Sequence, residues 1–180
     1  MSNPPRWLRT RAVRNQVSGS TLLFVCTGNI CRSAFAAAAL RARVGDRADT
    51  CVVSAGIRAM QGWPMDPGMA RAGAELGLAL GGHEARQVTG RMIANTAAVV
   101  VFGPEHRAWM RQEFPEHMGR VLAIGQVARG LGMLPRNRRL PLTQVVEAVT
   151  SGAPRIVDTD WIEDPYGYDD RVKMICAKRI

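Results

Sequence analysis

Four short runs, TLLFVC, TCVVSAG, AAVVVFG and GRVLAIG, are rich in β-branched and apolar residues and are separated by stretches of strong helix formers. Each is too short for a helix and lacks the polar alternation of a strand with one wet face, which predicts strands buried on both sides. Between them lie SAFAAAALRARVG, PGMARAGAELGL, TGRMIANTA and PEHRAWMRQEF, each carrying its own boundary signal. Ser33 stands at a capping position and Gly45 ends the first stretch. A proline opens the second, Thr89 caps the third and Pro115 closes the fourth. Strands that alternate with helices need right-handed crossovers. The prediction is an α/β fold, a four-stranded parallel, doubly wound sheet with helices on both faces. A final helix is expected in DDRVKMICAKRI, capped by its aspartates.

A chain of 180 residues supports one domain with a full core. We place that domain at 21–180, after a basic extension, 1–20, that contains Arg6, Arg9, Arg11 and Arg14 and no acid. The span of about 127–160 reads as irregular, with Pro135, Pro141 and Pro154 around a helix-like PLTQVVEAVTSG. No apolar run is long enough to span a bilayer, and the N-terminus lacks the apolar stretch of a secretory signal, so a cytoplasmic location is expected. The net charge of +9 comes from 24 basic residues, all but two of them arginine. No nucleic-acid-binding motif accompanies that charge, so it reads as solvated surface. The segment from Ile156 to Asp170 is the reverse, acidic throughout.

Four cysteines, Cys26, Cys31, Cys51 and Cys176, are too few for a disulfide scaffold. No C-x-x-C occurs and no histidine stands at a zinc-completing spacing, so no metal is expected. Cys51 and Cys176 read as small apolar residues on a strand and a helix. Cys26 and Cys31 are different, because they lie in VCTGNICRS, where a strand passes through a glycine-containing loop into a helix. Such a loop gathers main-chain N–H groups at a helix start and forms an anion site. The ending G-K-[ST] of a nucleotide-triphosphate loop is absent. Instead a cysteine opens the loop and an arginine follows six positions later. A phosphate held by the N–H groups can be gripped bidentately by Arg32. The same donors favour a Cys26 thiolate, an in-line nucleophile toward phosphorus. Gly28 allows the backbone close to the anion, Asn29 tolerates a left-handed conformation, and Ser33 reaches the Cys26 sulfur or caps the helix.

VCTGNICRS resembles the signature of the low-molecular-weight protein tyrosine phosphatases, whose fold is the sheet predicted above. The resemblance implies hydrolysis of phosphotyrosine on proteins through a phosphocysteine intermediate, without metal or cofactor. Cys26 is then the nucleophile and Arg32 the clamp. Thr27, Gly28, Asn29, Ile30, Cys31 and Ser33 form the substrate-binding cradle. Expelling a phenolate requires a proton, and WIEDPYGYDD is similar to the family's Asp-Pro motif. That assigns Asp164 as general acid and Tyr166 as an aromatic wall of the pocket. Ser54 and His83 match residues that hydrogen-bond Asn29 and support the loop, whereas His106 and His117 have no match and read as surface. Cys31 is either a packed residue or, by resemblance, the partner of a reversible disulfide with Cys26.

The sequence departs from the family in several places. Ala34 replaces a proline, Gly167 replaces a second aromatic, and Met60 and Trp63 stand in the substrate-facing loop. The 127–160 stretch is an insertion relative to the family's common form, and the last helix stops early. Partners by resemblance are phosphotyrosine proteins, a tyrosine kinase among them. Three alternatives are weighed against this reading. A protein-arginine phosphatase usually carries threonine where Ile30 stands. An arsenate reductase relays through a closely spaced cysteine pair in mid-chain, which this chain lacks. A non-catalytic phosphate-binding module would not keep Cys26, Arg32 and Asp164 together.

Overall fold

A computed structural model describes residues 21–45, 51–134 and 142–180. The basic extension 1–20 and Arg136, Arg138 and Arg139 of the insertion lie outside them. Four parallel strands, β1 (Thr21–Cys26), β2 (Cys51–Gly56), β3 (Ala98–Val101) and β4 (Val121–Ala123), form one sheet in the order β2-β1-β3-β4. The register pairs Cys26 with Gly56, Leu22 with Ala98 and Val101 with Ala123. β1 is therefore central, and its carboxyl end is flanked on both sides.

The helices are α1 (Arg32–Val44), α2 (Pro67–Glu75), α3 (Gly90–Ala94), α4 (Pro104–Glu113), α5 (Ile124–Gly132), α6 (Leu142–Ser151) and α7 (Asp170–Arg179). Alternate strand residues enter two cores, as the two-residue period of a strand requires. Leu23, Val25, Val99 and Val101 pack with Ile93 of α3 and Met110 of α4. Phe24, Cys26, Val52 and Val100 pack on the other side with α1, Met69 of α2 and Cys176 of α7. α1 is covered on more than one side, by the sheet, α2 and α7, and carries a run of buried alanines, Ala34 and Ala36 to Ala39.

Most predicted boundaries hold. Gly45 ends α1 at φ 64°, Asp66 caps α2 through the N–H groups of Gly68 and Met69, Thr89 caps α3 and Asp169 caps α7. Four expectations change. Cys31, not Ser33, is the N-cap of α1, and it makes no side-chain cap bond. The fourth strand stops at Ala123, because Ile124 already starts α5 and Gln126 Oε1 takes the N–H of Ala123. The stretch expected to be irregular holds the rest of α5 and the whole of α6. It is moored by Gln126 Nε2 donating to the Pro154 carbonyl and by a bidentate pair between Arg129 and buried Asp160. Cys51 begins β2 but is exposed. Among the described residues no helix is long and apolar enough to cross a membrane.

Candidate active site

The loop between β1 and α1 turns its carbonyl groups outward. Those of Cys26, Thr27, Gly28 and Ile30 accept from the main-chain N–H groups of Ile57, Arg58, Met60 and Asp66, at 2.9–3.0 Å. The Asn29 carbonyl accepts from His83 Nε2 at 2.6 Å, and that of Cys31 from Phe35 N at 2.9 Å. None of the described hydrogen bonds uses the N–H of residues 28–31 as donor. With the carbonyls engaged, those N–H groups are left unpaired within the protein, which is the requirement for an oxyanion cradle.

The turn depends on Asn29 and Gly56. Asn29 has φ 57°, the only positive φ of a non-glycine residue among the described residues, and it is fully buried. Its Nδ2 donates to Ser33 Oγ at 3.0 Å and its Oδ1 accepts from Arg86 N at 2.9 Å. At Gly56 a Cβ would stand 2.4 Å from the Thr27 carbonyl oxygen, so the loop can lie on the end of β2 only over a glycine. Gly28 has ordinary room on the protein side, with Ile30 and Met60 no nearer than 3.6 Å to an added Cβ.

The expected functional side chains converge. Cys26 Sγ lies 2.8 Å from Ser33 Oγ. Asn29 donates into that hydroxyl, so its proton is free for the sulfur, in competition only with the Ala55 carbonyl at 3.3 Å. Arg32 is buried; its Nη1 donates to the Ile162 carbonyl at 3.1 Å and its Nη2 to Asp164 Oδ2 at 2.5 Å. Its Nε is buried without a partner, a donor that a bound oxyanion would satisfy. Asp164 is brought here from 132 residues away. Ile162 N bonds the Phe102 carbonyl, Arg179 holds the Trp161 carbonyl, and Tyr166 N donates to Asp164 Oδ1 at 3.2 Å. Tyr166 and Trp63 are about half exposed, with Met60 seated beside Gly28, while Ile30 is buried. Cys31 is buried as well; burial, then the Asp66 carboxylate, push its thiol well above the ordinary range.

Of the two expected support residues, one contacts Asn29 and the other does not. His83 does hold Asn29, through the Asn29 carbonyl, and burial pulls its imidazole downward against that hydrogen bond. Ser54 is buried but makes no hydrogen bond to Asn29; its carbonyl accepts from Arg86 Nε, and Arg86 supplies the main-chain N–H that Asn29 needs. His106, expected on the surface, is completely buried, with Nε2 3.0 Å from Thr27 Oγ1. Burial, then the Arg32 cation, pull its imidazole from 6.5 down to about 3. It is a neutral prop under the first residue of the loop. The signal that could have found it is its spacing of four from Met110, which puts both on the inward face of α4.

This architecture defines a class. The family described as low molecular weight phosphotyrosine protein phosphatase matches residues 21–132, and the chain belongs to it. Among its relatives, the probable low molecular weight protein-tyrosine-phosphatase EpsP of Ralstonia nicotianae is 30% identical over 141 residues, which are 76% of this chain and 95% of that one. Etp of Escherichia coli, of the same designation, is 34% identical over 111 residues, 62% of this chain and 73% of its own. Two solved structures share the fold. The tyrosine phosphatase Wzb of Escherichia coli in complex with sulphate has a TM-score of 0.67 at 22% identity, covering 89% of this chain and 90% of that one. The YwlE arginine phosphatase of Geobacillus stearothermophilus has a TM-score of 0.66 at 23% identity, covering 88% and 84%.

Proposed function

We propose that this chain hydrolyses phosphotyrosine on proteins through a phosphocysteine intermediate. The carrying observation is the loop whose carbonyls are all engaged, with Cys26 Sγ at its start and, at its end, the buried guanidinium of Arg32 held by the Ile162 carbonyl and Asp164. A phosphate monoester enters the hollow, taking the N–H groups of 28–31 and the free Nε of Arg32. Its arrival displaces Asp164 from Arg32 Nη2. The Cys26 thiolate then attacks phosphorus in line; the S–P bond forms as the P–O bond to the tyrosine breaks, and protonated Asp164 gives its proton to the departing oxygen. Water, deprotonated by the Asp164 carboxylate, attacks phosphorus from the same side. The S–P bond breaks, phosphate leaves and the thiolate returns.

Fold likeness does not choose between phosphotyrosine and phosphoarginine, since neighbours of both kinds match equally well. Ile30 favours the aromatic substrate, because it offers carbon where a guanidinium would need a hydrogen-bond partner. The substrates in this reading are phosphotyrosine proteins of the cytoplasm, a tyrosine kinase among them, and Cys31 is placed five residues from the nucleophile as its redox partner. The test is hydrolysis of an aryl phosphate and of matched phosphotyrosine and phosphoarginine peptides. Wild type turns over the aryl phosphate, Cys26→Ser does not, and Asp164→Ala loses about 10²–10⁴-fold. Full turnover by Cys26→Ser ends the covalent mechanism, and a preference for phosphoarginine ends the choice of substrate.

A further inference from the structure

Arg32 has a second carboxylate beside it that neither the loop signature nor the proposed mechanism uses. Glu105, in the first turn of α4, folds back over the start of its own helix. Its Oε1 comes within 3.8 Å of Arg32 Nη1 and 3.3 Å of His106 Nε2. The sequence makes room for this. A Cβ on Gly103 would stand 2.3 Å from both Glu105 carboxylate oxygens, so the folded-back position exists only because residue 103 is a glycine. Three attractions hold it there: the positive end of α4, whose N-cap Gly103 supplies no side-chain cap, the Nε2 of a buried histidine, and the Arg32 cation. A carboxylate is an acceptor only, so its approach to His106 Nε2 favours the tautomer with the proton on Nε2.

The two carboxylates around Arg32 differ in duty. Asp164 alternates between acid and carboxylate during turnover. Glu105 sits over the α4 start, on the Nη1 side, and keeps one negative charge beside the clamp throughout. Arg32 is 3% exposed at its side chain and Glu105 is 54% exposed, so water screens the pair from the Glu105 side, and the cation governs how tightly the loop holds any oxyanion, including inorganic phosphate, the product. We propose that Glu105 is a positioning residue for Arg32 that moderates the oxyanion affinity of the site, so that product phosphate is released rather than retained. The inference rests on the phosphatase reading of the same loop.

The sign of the effect separates this role from a structural one: damage to the loop weakens phosphate binding, whereas removing a repelling charge strengthens it. The measurement is equilibrium binding of inorganic phosphate to the full chain by calorimetry, together with KM for an aryl phosphate. An anion on the loop stands roughly 6–8 Å from the Glu105 carboxylate, and Coulomb's law with largely aqueous screening gives about three- to tenfold per unit charge. Glu105→Gln is expected to bind phosphate about three- to tenfold tighter, with KM falling in step and the gain shrinking as salt is raised. Gly103→Ala displaces the carboxylate without changing net charge and is expected to tighten binding in the same direction; it decides the matter if Glu105→Gln does not fold. Glu113→Gln, an exposed charge at the far end of the same helix, is expected to leave binding unchanged. Unchanged or weaker binding in the folded Glu105 and Gly103 variants overturns the inference, as does equal tightening in Glu113→Gln. Phosphate binding needs no turnover, so a chain that failed to hydrolyse aryl phosphates would refute the phosphatase reading and still answer this question.

Discussion

Replacing His106 with glutamine should flatten the acid side of the stability profile. In the folded protein the imidazole is fully buried and titrates at about 3, against an ordinary 6.5. Below pH 6.5 the unfolded chain takes up a proton that the native state refuses. The contribution is therefore complete above that pH and is lost as pH falls toward 3. Between pH 7 and pH 5 the loss is about 2 kcal/mol, at 1.36 kcal/mol per pH unit below the unfolded value. With a urea slope of about 2 kcal/mol/M, the wild-type midpoint should fall by about 1 M over that interval from this group alone. Glutamine keeps an N–H near the Nε2 position and has no proton to gain. Urea melts of both proteins at pH 7, 6 and 5 yield the difference in slope; His83, also depressed by burial, is common to both and cancels. Parallel profiles for the two proteins would refute the buried neutral imidazole. So would His106 ring resonances in wild type that titrate near pH 6.5.

Three further outcomes are expected. Gly56→Ala drives a methyl group into the Thr27 carbonyl oxygen, at 2.4 Å before relaxation. It should cost about 2–3 kcal/mol in urea melts and lower kcat/KM of the folded protein about 10²-fold through loop displacement; a neutral substitution would show that the loop does not rest on β2. Asn29→Ala should destabilise more than Asn29→Gly by about 1 kcal/mol, because only glycine keeps φ 57° without steric cost. Equal losses would assign the whole effect to the hydrogen bonds. Peroxide should inactivate the wild type reversibly, with dithiol rescue, and Cys31→Ser irreversibly. Because burial keeps the Cys31 thiol protonated, disulfide closure should be faster at pH 9 than at pH 7, and permanent loss in the wild type would remove Cys31 as the resolving thiol.

The parallel order of elements was legible because each strand is apolar on both faces and each helix carries a local boundary signal. The left-handed turn at Asn29, and the cysteine and arginine on which the proposed mechanism draws, were legible because one nine-residue segment holds them all. Other features depend on contacts that no local pattern encodes. Arg86 supports Asn29 through a main-chain N–H, which any residue would have provided, so the sequence pointed to the hydroxyl of Ser54 instead. His106 was read without the helical period that turns it inward. Glu105 depends on the missing side chain of Gly103, two residues earlier. Prolines in 127–160 suggested disorder of pattern, yet Gln126 and Arg129 of α5 hold the far end of that stretch, at Pro154 and Asp160, through long-range bonds.

The alanine run beneath Arg32 has an evolutionary corollary. Methyl groups are the smallest side chains that still bury carbon, so at Ala34, Ala37 and Ala38 the first helix lies close to its neighbours, and its opening residue is the clamp of the proposed mechanism. Ala36 and Ala39 border a cavity of about 570 Å³ with room for a larger side chain, but a valine or leucine admitted at 37 or 38 would lever the guanidinium away from the sulfur before it unfolded anything. Drift at these positions should therefore be purged through lost turnover in proteins that still melt cooperatively, and a randomised library there should be poorest in active clones and unremarkable in soluble ones.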